Sequence, residues 1–169
     1  MSISLSQILN AQMLASAASP LSAPNASTSF EQVKIRMAQE AVISGSDTIE
    51  LRHLLGALIC NPNGRVKLCL SSAIRIAEIT EQNVRDRLGL GEYDSNIVVA
   101  EDMQRSNDVK DVYLLTMMLS RQAQKDRPDT SDLLSAIVAH LTKDRQWISK
   151  SIMEQANFLV SMLVVGRIS

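Results

Sequence analysis

Aromatic side chains are scarce in this sequence: two Phe, two Tyr and one Trp make up 3% of 169 residues. A core without them must be assembled from Leu, Ile, Val, Ala and the eight Met residues, a mixture that favours helix over sheet. Cysteine is scarce as well. Cys60 and Cys69 match no zinc or redox spacing, which points to two buried or half-buried thiols in a reducing compartment rather than to a disulfide. An excess of charge of one sign is also missing. The 17 basic and 18 acidic residues are scattered, with no basic stripe to neutralise a row of phosphates, so nucleic acid is not an expected partner. No apolar run approaches the roughly 20 residues that span a bilayer. The longest, Phe158 to Val165, is broken by Ser161. The first 20 residues contain no Lys or Arg, which argues against a signal peptide and for a cytoplasmic protein.

Catalytic signatures are absent in the same way. No Gly-x-x-x-x-Gly-Lys-Ser/Thr loop offers a phosphate cradle, which excludes ATP hydrolysis. His53 and His140 are the only histidines, and neither is followed by a ligand at helical spacing, so no zinc or di-iron site is expected. No nucleophile elbow supports a Ser-His-Asp arrangement. The expectation is a non-enzyme with no cofactor, no metal and no catalytic residue.

What is present is helical periodicity. In residues 1–28, rich in Ser and Ala and without charged side chains, Leu5, Ile8, Leu9 and Met13 recur at i, i+3, i+4 and i+8. They suit one face of a short amphipathic helix, ahead of a linker over Ala17 to Ser27. Thr28 with Glu31, and Ser29 with Gln32, offer capping boxes for a helix with Phe30, Val33, Met37 and Ala41 on one face, stopping at Gly45. Asp47 with Glu50 opens a second, whose Leu51, Leu54, Leu55 and Leu58 form a stripe ending before the turn Asn61-Pro62-Asn63-Gly64. A third carries Val66, Leu70, Ala73, Ile74 and Ala77, and a fourth runs from Thr80 to Gly89. The stretch to about Ser106 reads as a connector, with a short strand at Ile97-Val98-Val99 the one extended element it could hold and no obvious pairing partner. Beyond it, Val109, Val112, Leu115 and Leu119 mark another helix. Pro128-Asp129-Thr130 starts the next, with Leu133, Leu134, Ile137, Val138 and Leu141. Ile148, Ile152, Ala156, Leu159 and Leu163 continue at helical spacing, as one bent helix or two.

A shift of 79 positions lays Phe30 on Val109, Leu54 to Ile59 on Leu133 to Val138, and Val84 on Leu163, so apolar positions match across four successive helices. The expected fold is all-α: a pseudo-twofold bundle of two four-helix repeats behind a flexible N-terminal segment. Residues 29–89 form the first repeat, 90–106 the connector and 107–169 the second, with 29–169 as one compact domain.

The repeated motif reads Leu51-Arg52-His53-Leu54-Leu55-Gly56-Ala57-Leu58-Ile59 in the first copy, after Ala41, Gly45 and Ile49. In the second it reads Thr130-Ser131-Asp132-Leu133-Leu134-Ser135-Ala136-Ile137-Val138. It resembles the double Clp-N domain, the amino-terminal module of Clp-type ATPase unfoldases, over about residues 27–168. That resemblance implies a stand-alone protein-binding module taking a peptide, a helix or an adaptor. Its setting would be a bacterial chaperone, proteolysis or secretion machine, with a Clp-type ATPase or secretion component as partner. In some members the motif's Glu recognises phosphorylated arginine. Arg52 and Ser131 stand there instead, so this activity is not carried over.

The candidate protein-binding residues are Arg52, Ser131, Asp132, Met117 and Trp147. Arg52 would be a rim charge. Met117, beside Met118, is either core filler or part of an adaptable surface. Trp147 begins the third helix of the second copy, as packing or as an interface anchor. His53 is expected to be structural. A different reading is an assembly component that self-associates through its N-terminal segment and its apolar last helix.

Overall fold

The computed structural model describes residues 26–61, 64–99 and 103–166. The expected helix over Leu5 to Met13 and residues 62 and 63 of the expected turn lie outside them. In the first copy, α1 (Ala26–Ile43) leads through strand β1 (Thr48–Ile49) to α2 (Leu51–Cys60), α3 (Arg65–Ile76) and α4 (Glu81–Arg87). The second copy comprises β2 (Gln104–Arg105), α5 (Asn107–Gln122), α6 (Thr130–Thr142), a 3-10 turn (Arg145–Ser149) and α7 (Ile152–Val164).

The halves are related as the repeat predicts. Helix α1 packs on α2 as α5 packs on α6; across the junction, α1 meets α6, α2 meets α5, and α3 lies along α7. The apolar stripes meet in one continuous core, in which Val33, Leu54, Val84, Val112, Leu133, Ile137 and Ala156 are wholly buried. Leu, Ile and Val supply most of it, as expected of a chain with few aromatic rings. Phe30 meets Tyr113 at 5.9 Å between ring centroids, joining α1 to α5.

Four local expectations change. Helix α1 begins at Ala26, so neither Thr28 nor Ser29 is a cap; both lie in its first turns, where the Ser29 Oγ is buried without a hydrogen-bond partner among the described residues. Helix α2 starts at Leu51 with Glu50 as N-cap, because Thr48 and Ile49 are extended and pair in parallel with Gln104 and Arg105. Ile97 to Val99 form no strand; β2 lies downstream of them. The third helix of the second copy is replaced by the 3-10 turn that holds Trp147. Ser151 then accepts from the Glu154 N–H and restarts the chain as α7.

That replacement shifts a burden to one side chain. A break between helices frees carbonyls that need donors. Gln155, wholly enclosed, donates from Nε2 to the carbonyls of Trp147 (2.8 Å) and Lys150 (3.0 Å) and accepts from Ser135 Oγ (2.9 Å). Its counterpart in the first copy, Ile76 on an unbroken α3, is 66% exposed.

The connector is strapped to the first copy. Gln39 donates to the carbonyls of Ser95 (3.1 Å) and Ile97 (3.2 Å) and accepts from Tyr93 Oη (2.7 Å). Beneath them, the buried Arg85 guanidinium forks onto the Glu40 carboxylate and also reaches the Gly91 carbonyl. Both thiols are free. Arg85 Nη1 lies 3.0 Å from Cys60 Sγ, yet burial dominates and pushes that thiol up to about 11, leaving it protonated at neutral pH. Among the described residues, no helix is long and apolar enough to cross a membrane.

Candidate functional site

The second helix of each copy opens with the same hydrogen-bonded cap, built from different chemistry. In α2 the Glu50 N–H donates to His53 Nδ1 (2.8 Å). In α6 the Asp129 N–H donates to the Asp132 carboxylate (3.1 Å). The side chain three residues on thus satisfies the N-cap amide in both.

With Nδ1 accepting, His53 is the neutral tautomer that carries its proton on Nε2, 2.8 Å from Ser44 Oγ. Burial, reinforced by the neighbouring Arg52 charge, lowers its pKa to about 4. At neutral pH this ring is an uncharged structural element. Asp129 accepts from the amides of Ser131 and Asp132, both at 3.0 Å, and from Ser131 Oγ. Lys125 bridges Asp129 (2.7 Å) and Asp132 (3.0 Å). Burial works upward on the Asp129 carboxyl, and the hydrogen bonds from Lys125 and Ser131 overcome it and hold the pKa below the usual value.

Beside this second cap lies a cleft of about 410 Å³ between the end of α5, the start of α6 and the turn into α7. Leu119, Ala123, Ile148 and Ile152 give it apolar walls, and Ser131, Asp132 and Lys150 give it polar ones. A smaller cavity of about 280 Å³, with Ser29, Gly64 and Thr130 in its wall, lies where α1, α3 and α6 begin.

Ser131 and Asp132 are therefore together at one cleft. Trp147 belongs to its flank: its ring sits on Phe158, centroids 4.2 Å apart, and the next residue, Ile148, lines the cleft. Met117 is on the outer face of α5, 44% exposed, next to Met118 at 43%. Arg52 is in the other copy. Its Nε donates to Glu50 (2.8 Å) and its Nη1 to the carbonyls of Leu88 (3.4 Å) and Gly89 (3.1 Å), tying the end of α4 to the start of α2. Gln155 and Ile148 were not among the expected site residues. Ile148 had an apolar-periodicity signal, and Gln155 had none beyond being a polar residue between apolar neighbours.

Among the described residues, no group of three or more His, Cys, Asp or Glu side chains is placed to hold a metal ion.

The architecture is all-α with two related helical halves, the class that the repeat implies. The chain matches no protein-family model and no curated protein. Among solved structures it is similar to the N-terminal domain of the caseinolytic protease associated chaperone ClpD from Arabidopsis thaliana, at 17% identity and a TM-score of 0.49, covering 79% of this chain and 92% of that one.

Proposed function

We propose that the chain is a non-enzymatic protein-binding module, and that it takes a helix or peptide from a partner in the cleft between α5, α6 and the turn into α7. The observation that carries this reading is the cleft itself. It lines Leu119, Ala123, Ile148 and Ile152 along one open side, suited to the apolar face of an amphipathic segment, with Lys150 beside them to set the segment's polarity. Ser131 and Asp132 take part at the cleft edge, and Trp147 stiffens its flank. Arg52 acts within the fold, through Leu88 and Gly89, rather than as a rim charge. A cytoplasmic chaperone, proteolysis or secretion machine of a bacterium, with a Clp-type ATPase, adaptor or secretion component as partner, fits the motif resemblance.

An array of helical peptides from Clp-type ATPases, adaptors and secretion components, probed with the full chain and with Ala123→Arg, tests this reading. Wild-type protein is expected to retain a defined subset that the variant loses. Equal retention by both would remove the cleft from consideration, and capture of no peptide would overturn the reading.

A second reading, self-assembly through the last helix, is favoured by a groove of about 300 Å³ lined by Phe158, Ser161, Met162 and Val165 on the outer side of α7. Light scattering over a concentration series decides it: a mass that stays monomeric at high concentration is incompatible with assembly.

A further inference from the structure

Each copy has a seat beside the start of its second helix, and the first copy fills its seat with its own chain. Beyond α4 the connector turns back across α2. Arg52 Nη1 donates to the carbonyls of Leu88 (3.4 Å) and Gly89 (3.1 Å). Leu90, buried, is pressed onto α2 at Gly56, where a Cβ would collide with its Cδ1 and would also crowd the Glu40 carboxylate. Gly91 then lies against the Ile43 side chain, and Arg85 Nε holds its carbonyl at 3.0 Å. Glu40, Ile43, Arg52 and Gly56 thus receive a Gly-Leu-Gly segment that belongs to no helix or strand.

The shift of 79 positions carries those four residues onto Leu119, Gln122, Ser131 and Ser135, and all four line the cleft of about 410 Å³. The fold keeps this register around the cleft. Gly45 and Gln124 are both left-handed, Gly64 and Lys143 both have positive φ, and Glu50 and Asp129 are both N-caps. The cleft is therefore the second copy's version of the seat that Leu90 fills in the first. Two exchanges alter its chemistry. Leu119 stands where the first copy has the Glu40 carboxylate, which makes the wall apolar. Ser135 brings a Cβ where Gly56 has none, so a side chain entering here sits further from α6, toward Ile148 and Ile152.

We infer that the cleft takes a non-helical segment of a partner protein with the chemistry that the connector shows in the first copy: a leucine anchor between glycines. The glycines have a stated use. Gly89 is left-handed with its Cα face against the Arg52 guanidinium, and Gly91 backs onto Ile43, so larger residues at either place would hold the leucine off. Exposed Lys150 supplies the second copy with a cationic donor for main-chain carbonyls, the part that Arg52 plays in the first. This inference rests on the cleft reading above and narrows its ligand.

The test titrates the full chain into a fluorescently labelled peptide of connector residues 86–92, read by anisotropy. The peptide is expected to bind. The same peptide with Leu90→Asp should bind about tenfold more weakly or worse, the worth of burying one leucine. The full-length variant Ala123→Arg, changed at an exposed position of the cleft wall, should lose the unaltered peptide to a similar degree. No binding at about 1 mM protein, or equal binding of the two peptides, would overturn the inference. Equal binding by the wild type and Ala123→Arg would overturn it in favour of exchange with the connector in the first copy. If Ala123→Arg loses helical peptides from the array while the connector peptide fails to bind, this inference falls and the cleft reading stands.

Discussion

The two copies solve the same packing problem with opposite chemistry. At positions related by the repeat, the first copy buries Glu40 and Arg85 as a hydrogen-bonded ion pair, and the second places Leu119 and Val164. The first caps α2 with a neutral imidazole, while the second caps α6 with a carboxylate held by Lys125. The first turns out of α1 through Gly45 in the left-handed region, and the second out of α5 through Gln124 in the same conformation. The backbone solution is therefore shared and the side-chain solution is not. The connector explains part of the difference: Arg85 also holds the Gly91 carbonyl and so ties the start of the connector to the first copy.

Removing one partner of the buried pair is the strongest way to break this comparison. Arg85→Val or Glu40→Leu alone leaves an uncompensated charge in the core and should lower unfolding stability by about 3–5 kcal/mol in chemical denaturation. The double variant, which installs residues of the second copy's kind, should be less destabilised than either single one. A double variant as unstable as the sum of the two would show that the first copy cannot use the apolar solution.

The two caps should separate by pH. His53 is depressed to about 4, below its unfolded value near 6.5, so its neutral form contributes stability fully present above pH 6.5 and lost as the pH falls toward 4. The loss is on the order of 3 kcal/mol. Asp129 is depressed below the ordinary carboxylate range, so its contribution persists through that window and disappears only at lower pH. Denaturation midpoints between pH 7 and 4 should thus fall in the wild type and fall less in His53→Asn.

Gln155→Leu should cost about 2–3 kcal/mol, since it strands the carbonyls of Trp147 and Lys150 and the Ser135 hydroxyl. The change Ile76→Gln in the first copy should be near neutral, because that side chain points into solvent. Smallest is Gln124→Gly, which gives the second copy the turn residue of the first. It should stabilise by a few tenths to about 1 kcal/mol by relieving the left-handed backbone, read as a small rise in Tm.

How much of this was legible in the chain follows from the range of each interaction. Phe30, Val33, Met37 and Ala41, like Leu133, Leu134, Ile137 and Val138, are buried as their spacing predicts, because helical periodicity is a property of the nearest few residues. Gly45, Thr80 and Asp129 likewise mark helix ends through bonds that stay within one turn. Arg52 could not be read this way. Its carbonyl partners lie 36 and 37 residues downstream, and a guanidinium at a helix start looks like a rim charge until the end of α4 is beside it. The start of α2 was misplaced for the same reason, since β1 is extended only by virtue of β2 more than fifty residues on. The cleft was half legible: Ser131 and Asp132 stood out through the motif, whereas Ile148 and Ile152 join them only after the chain has broken at the 3-10 turn.

The sequence by itself determined the helical class, the twofold repeat and the composition of the core, since all three are written in the short-range spacing of apolar side chains. The tertiary structure alone decided which polar groups meet: Glu40 with Arg85, Arg52 with Gly89, Gln155 with Ser135. Such pairs form between segments that only packing brings within 3 Å or so, and no local periodicity encodes them.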